Sequence, residues 1–246
     1  MEIKMALFSI SDLHLSTASN KPMDVFGSRW RGHAERLEKA WRSIVKESDT
    51  VIVPGDVSWA MKLDEALSDF RFIDSLPGRK LLGKGNHDYW WQTVTKMRSF
   101  LAENGISTID FLFNNAYVTD GHIVCGTRGW FIEERLQSGR DADYAQICAR
   151  ECGRLKMSLD AAAEMQKIPG NEKLPIIVYL HFPPVFGEFV CDEFISLMKG
   201  YGVTDCFYGH IHGVYGIPSV FEYGGVKLHI ISADYLNFTP QITRIG

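Results

Sequence analysis

The chain has 246 residues, 46% hydrophobic and 23% charged, with a formal net charge of −4. That length buries a core without disulfide or metal staples, and the acidic balance excludes bulk attraction to nucleic acid or to an anionic membrane as the basis of function. The cysteines, Cys125, Cys148, Cys152, Cys191 and Cys206, are odd in number and irregularly spaced, which fits a reducing compartment better than a disulfide framework.

The first element is a mostly apolar run from Ile3 to Ile10, which predicts a buried strand. Asp12 and His14 break that run, leaving it too short for a signal peptide or membrane span. No later segment reaches about 18 apolar residues, so a cytoplasmic protein with no membrane partner is expected. Residues 33–46 carry Leu37, Ala40, Trp41, Ile44 and Val45 at helical spacing. A second buried strand, 50–53, ends at Pro54-Gly55. A helix over 63–76 is closed by Pro77-Gly78. A short strand over 80–82 leads into Gly83, and a helix over 90–104 ends at Gly105.

The second half predicts a strand over 122–125 and a long helix over 141–167. The most apolar strand candidate is 174–180. A helix over 191–199 and strands over 203–208 and 226–231 follow, and short strand candidates dominate from Val214 onward. Strand–helix alternation in the first half implies a largely parallel sheet covered by helices. The later strands suggest a second sheet packed on the first. No polar linker divides the chain, so one domain spanning 1–246 is expected.

The polar residues fall just after the apolar strands: Asp12 and His14 after the first, Asp56 after the second, Asn86, His87 and Asp88 after the third. His181 follows the strand at 174–180, and His210 and His212 follow that at 203–208. Ligands of open α/β sheets bind at such strand ends. Asp, Asn and neutral His suit Mn²⁺, Fe or Zn²⁺ better than Ca²⁺. With extended backbone, Asp12-Leu13-His14 and His210-Ile211-His212 each send both polar side chains to one side. Gly55, Gly85 and Gly209 allow close backbone approach to a ligand. Two metals about 3.5–4 Å apart can clamp a phosphoryl group and lower the pKa of a bridging water. Asp56 is the best candidate for the shared carboxylate. His87 could protonate the leaving oxygen, while Asp88 could orient its neighbours or cap a helix starting near Tyr89. His33, His122 and His229 lack such context and read as ordinary histidines. Cys148 and Cys152 stand i, i+4 on a helix, and with no second Cys pair they read as two semi-buried thiols rather than half a metal site.

SDLHL (11–15), PGD (54–56), GNHD (85–88), His181 and GHIH (209–212) together resemble the calcineurin-like metallophosphoesterase family, of the small bacterial phosphohydrolase type. The resemblance implies an α/β fold: a four-layer α/β/β/α sandwich, two mixed β-sheets flanked by helices. It implies one metal held by Asp12, His14, Asp56 and His212 and another by Asp56, Asn86, His181 and His210, with Asp56 bridging and His87 contacting the phosphate. Hydrolysis of phosphomonoesters or phosphodiesters through a metal-bridging hydroxide is the implied activity, with Mn, Fe or Zn as the divalent ions. GDVSWAM (55–61) lacks the second Asp and the Arg of protein Ser/Thr phosphatases, and His87 stands where lipid A-pathway pyrophosphatases place Arg.

A small phosphorylated substrate is expected. A nucleotide or cyclic-nucleotide phosphodiesterase, or a pyrophosphatase, is the alternative. A nuclease is weaker, because no basic stripe is visible. An interaction scaffold would have lost ligands, and here the full set is present. Trp59, Trp90-Trp91, the segment 20–33 with Phe26, Arg29, Trp30 and Arg31, and 126–130 with Arg128 and Trp130 flank the motifs. Such aromatics could stack a base and such arginines could grip a phosphate; packing is the competing role, favoured for Trp90 and Trp91. Pro183-Pro184 could rigidify the loop after His181, with a cis peptide bond as one way to do so.

Overall fold

The computed structural model describes residues 5–17, 21–131 and 141–243. Chain order is β1 (Leu7–Ser9), α1 (His33–Ile44), β2 (Thr50–Val53), α2 (Leu67–Asp74), β3 (Arg79–Leu82), α3 (Val94–Glu103), β4 (Ile109–Phe111), β5 (Asn115–Thr119) and β6 (His122–Thr127). There follow α4 (Asp141–Gln166), β7 (Ile176–Leu180), β8 (Val185–Phe186), β9 (Phe189–Val190), α5 (Asp192–Gly200), β10 (Asp205–Tyr208), β11 (Val220–Tyr223), β12 (Val226–Ile230) and β13 (Gln241–Ile242).

Two mixed sheets result. The first runs β13-β1-β2-β3-β4, and the second β11-β12-β10-β7-β6-β5. In the first, β1 to β4 are parallel and β13 pairs with β1 antiparallel. In the second, β12, β10, β7 and β6 are parallel between antiparallel edges β11 and β5.

Strand periodicity builds the layers. Because successive side chains point to opposite faces, Val51 and Val53 of β2 join a core with Leu37, Trp41, Phe70 and Met97, while Ile52 between them joins another. In β7, Ile176, Val178 and Leu180 pack with Leu155, Leu159 and Phe194 of α4 and α5. Ile177 and Tyr179 face the other way and meet Leu7, Ile52 and Leu81 of the first sheet. The result is three stacked cores and four layers, α/β/β/α. The continuous apolar strands are those buried on both faces. Fully buried side chains such as Trp41, Phe70 and Phe194 each contribute about 1.5–3 kcal/mol by leaving water.

Several boundaries differ from the sequence reading. The run 3–10 is a strand only over Leu7–Ser9, and Ile3 and Lys4 lie outside the described residues. The helix expected from 63 begins at Leu67. The one expected from 90 begins at Val94, where the Thr93 hydroxyl accepts the Lys96 N–H at 3.3 Å. Trp90 and Trp91 are engaged elsewhere: Trp90 packs edge-on to Phe70 at 4.9 Å, and Trp91 meets Phe111 at 5.3 Å and Phe113 at 5.2 Å. That is the packing role. Strands β4 and β5 are not legible in the sequence: β4 is three residues with Asp110 at its centre, and β5 opens on Asn115. No peptide bond among the described residues is cis, so the Pro183-Pro184 loop is trans. No helix among them is long and apolar enough to cross a membrane.

Candidate metal centre

The C-terminal ends of β1, β2, β3, β7 and β10 meet where the two sheets join. Ser11, following β1, forms a bridge to Ser232, which follows β12, and the Ser11 amide donates to Ile231 O at 2.8 Å. The Asp12 amide donates to Gly55 O at 3.0 Å and the His14 amide to Asp56 O at 2.9 Å. The loops after β1 and β2 are thereby stitched together, in register with a loop of the second sheet.

The side chains converge accordingly. Asp12, His14 and His212 can offer one ligand atom each within 4.8 Å of one another, and so can Asp12, Asp56 and His181. Asp56 Oδ2 is 3.6 Å from His14 Nε2 and 3.6 Å from His181 Nε2. His181 Nε2 is 2.7 Å from Asn86 Oδ1. The His210 amide donates to Asp12 Oδ2 at 2.9 Å, and its ring lies 5.2 Å from that of His181. The His87 amide donates to Asp56 Oδ1 at 2.8 Å, and its ring stands 5.6 Å from that of His14. All eight candidate residues are therefore in one place. Asp12, His14, Asp56 and His181 are buried, whereas Asn86, His87, His210 and His212 are half-buried and open the centre to solvent.

The backbone achieves this differently from the expectation of extended chain. Asp12 (φ 61°), His14 (φ 46°), Asp56 (φ 51°) and His210 (φ 68°) are left-handed, at about 1–2 kcal/mol each. The intervening Leu13 and Ile211 are buried in the cores. Each turn thus drops one apolar side chain inward while its polar neighbours face the centre. Close approach demands glycine at all three loop positions: a Cβ at Gly85 would lie 2.0 Å from Asp56 Oδ1, one at Gly209 2.4 Å from Asp12 Oδ2, and one at Gly55 2.5 Å from the Gly85 amide nitrogen.

The donor set fits divalent cations. Burial, reinforced by Asp88 and Asp12, pushes the Asp56 carboxyl well above the usual carboxylate range. The ion pairs of Asp12 and Asp56 are with histidines, and burial holds His14 and His181 well below 6.5. Neutral imidazoles can donate lone pairs, and a bound cation would supply the positive charge that lets the buried Asp56 carboxyl ionise. His14 Nε2 and His212 Nε2 face each other at 3.2 Å, a separation that two nitrogens on one ion at about 2.0–2.1 Å adopt. His212 differs: burial would lower it, but Asp12 and Asp234 outweigh that and raise it to about 10.

Residues 5–214 match the model of the calcineurin-like phosphoesterases. The chain belongs to this family. Membership implies metal-dependent hydrolysis of a phosphoester. The chain is also similar to the Gene 66 protein of Mycobacterium phage L5, 35% identical over 78 residues. That match covers 32% of this chain and 37% of the phage protein. The crystal structure of TT1561 of Thermus thermophilus superposes with a TM-score of 0.55 at 12% identity, covering 98% of this chain and 99% of that one; this likeness concerns the fold alone.

In this calcineurin-like phosphoesterase Asp88 caps no helix. It is buried, and its Oδ2 accepts the Gly85 amide at 2.8 Å while Oδ1 accepts the Val57 amide at 2.9 Å and Trp90 Nε1 at 3.0 Å. Asp234 escapes the sequence reading, although it too follows an apolar strand. It is buried and accepts His212 Nδ1 at 2.9 Å, the Gly213 amide at 2.9 Å and the Tyr215 hydroxyl at 3.0 Å. A carboxylate behind an imidazole fixes its tautomer and orientation.

Trp30 and Trp59 are buried against the histidines. Trp59 lies 4.2 Å from the His87 ring and 5.0 Å from His14, and Trp30 lies 5.4 Å from His212. Arg128 turns to helix α4, its Nη2 3.5 Å from Glu151 Oε1, which Arg154 and Arg150 also approach at 2.6 and 3.6 Å. Its carbonyl accepts the His181 amide at 3.1 Å, so Arg128 positions the His181 loop through backbone. Of the three remaining histidines, His33 and His229 are buried, and His229 Nε2 bonds Asp205 at 2.7 Å.

Proposed function

We propose that this phosphoesterase works with two divalent cations, Mn²⁺ first and Fe or Zn²⁺ as alternatives, on monoester or diester bonds of a small phosphorylated substrate. The observation that carries this reading is Asp56 Oδ2, 3.6 Å from both His14 Nε2 and His181 Nε2. One carboxylate oxygen stands between two histidines of different ligand clusters, as a bridging ligand requires. Asp12, His14, Asp56 and His212 would hold one cation, and Asp56, Asn86, His181 and His210 the other. Bound cations of this kind neutralise phosphoryl oxygens and make a water nucleophilic near neutral pH.

The chain's own groups do the rest. Half-buried His87 borders the opening, with Trp59 behind its ring at 4.2 Å, and is the group able to give a proton to the leaving oxygen. Burial lowers its pKa from 6.5, with Asp12 pulling the other way and His212 and Lys21 adding to the fall. The protonated ring is therefore scarcer and a stronger acid. The Lys21 ammonium stands 4.3 Å over the Trp59 ring and is exposed, free to meet an anionic substrate. Trp59 is stacked on His14 and covered by Lys21, and Trp30 is buried edge-to-face with His212, which favours a small phosphate ester over a nucleotide whose base would stack there.

The test is hydrolysis of p-nitrophenyl phosphate and bis-p-nitrophenyl phosphate by the Mn²⁺-loaded protein, with Asp56→Asn as control. Metal-dependent cleavage lost in the variant is expected. Which ester is cleaved directs the search for substrate. No cleavage of either with Mn²⁺, Fe²⁺, Zn²⁺ or Co²⁺ bound would overturn the reading in favour of a metal-binding scaffold.

A further inference from the structure

Three thiols that are scattered in sequence meet on the outer face of the second sheet. Cys148 and Cys152 stand one turn apart on α4, and Cys191 is the residue before α5. Their sulfurs lie within 4.8 Å of one another, with Cys148 Sγ 3.5 Å from Cys191 Sγ and 4.0 Å from Cys152 Sγ. Glu193, in the first turn of α5, brings a carboxylate oxygen 3.5 Å from Cys191 Sγ. None of these residues belongs to the centre described above.

The three sulfurs are spaced as three corners of a coordination tetrahedron, and Glu193, bonded to Cys191, is the carboxylate that would turn in as the fourth. A Zn–S distance of about 2.3 Å places two sulfurs about 3.8 Å apart, and a Zn–O distance of about 2.0 Å places oxygen and sulfur about 3.5 Å apart. The helices are held in place from beneath by Leu155, Phe194 and Met198, so the donors are pre-positioned. A pocket of ≈ 410 Å³ lined by Cys148, Cys152, Lys156 and Glu193 opens onto them, giving an ion a way in. A disulfide would join two of the sulfurs and leave the third without a role; one ion uses all three, with the Glu193 carboxylate beside Cys191 as the fourth donor it would draw in.

We infer that Cys148, Cys152, Cys191 and Glu193 form a zinc site that clasps α4 to α5. Three thiolates favour a soft or borderline d¹⁰ ion over Mn²⁺, so this site selects Zn²⁺ whichever ion fills the phosphoesterase centre. Each thiol releases its proton to solvent as the ion binds. With Glu193 drawn in as the fourth ligand no position would stay open, as in a structural site.

Cobalt titration of the reduced full-length protein tests this directly. Sulfur-to-Co²⁺ charge-transfer absorption reports thiolate ligands, and the phosphoesterase centre, built of nitrogen and oxygen donors, contributes none. The expected result is a thiolate band whose plateau intensity corresponds to one thiolate-bound Co²⁺ per chain, whatever cobalt the phosphoesterase centre takes up, bleached by Zn²⁺, lost in Cys191→Ser and diminished in Cys152→Ala. Cys125→Ala, whose thiol lies in β6 away from the cluster, retains it. Cys152 is only half-buried, so its variant keeps the test decisive if Cys191→Ser fails to fold. Absence of the band in wild-type protein with all thiols reduced, or an undiminished band in Cys152→Ala, overturns the assignment.

Discussion

The carboxylate of Asp88 accepts the backbone N–H of Asp56 at 2.8 Å. The same side chain accepts the amides of Gly85 at 2.8 Å, Val57 at 2.9 Å and Ser58 at 3.2 Å, so one buried anion ties the loop after β2 to the loop after β3. Both loops carry candidate ligands. Asp56 is left-handed at φ 51°, a conformation the surrounding structure must enforce.

Asp88→Asn replaces an acceptor oxygen with an NH₂ that faces backbone donors. Leaving a buried donor unpaired costs about 1–3 kcal/mol, and loosening an outer partner of a metal ligand lowers metal affinity about 10–100-fold. We expect a lower Tm and a rightward shift of that size in the Mn²⁺ dependence of hydrolysis. Unchanged Mn²⁺ affinity would show that Asp56 holds its position without this clamp.

His87→Ala keeps the backbone N–H that Asp56 Oδ1 accepts at 2.8 Å, so both metals are expected to remain bound. Loss of a general acid lowers kcat about 10²–10⁴-fold. The loss is expected to be smaller for p-nitrophenyl phosphate than for a phenyl or alkyl ester, whose leaving oxygen needs the proton more. Equal losses across leaving groups would assign His87 to phosphate contact alone.

Lys80 offers a pH test away from the centre. It is fully buried in β3, where its ammonium donates to Leu76 O and to Thr108 Oγ1, the latter at 2.9 Å. Burial draws its pKa down to about 8, against the pull of Asp74 and Glu47. Below pH 8 folded and unfolded chains both hold the proton, and the desolvation penalty is fully present. Above it the folded chain has lost a proton that the unfolded chain keeps to about pH 10.4, so rising pH favours folding. The stability of wild type relative to Lys80→Met is expected to rise by on the order of 1–3 kcal/mol between pH 7.5 and 10. Chemical denaturation across that range measures it, and a flat difference would refute a depressed Lys80.

Strands whose apolar runs are buried on both faces, such as β2 and β7, are readable from the chain alone, because that burial leaves a local pattern. The polar residues that end them are readable too, so Asp12, His14, Asp56, Asn86, His87, His181, His210 and His212 stand out as one set. Features that depend on contacts between distant segments emerge only in the folded molecule. The left-handed turns at Asp12, His14 and His210 follow from loops that must bond each other, and no local periodicity records that. Asp88 is adjacent to a plausible helix start, yet the donors that need it include the amides of Asp56, Val57 and Ser58 on another loop. Asp234 acquires its partner only because β12 ends beside the loop after β10. Cys148 and Cys152 read as an incomplete pair because Cys191 is 43 positions from Cys148, and only the packing of α5 on the second sheet brings it within reach.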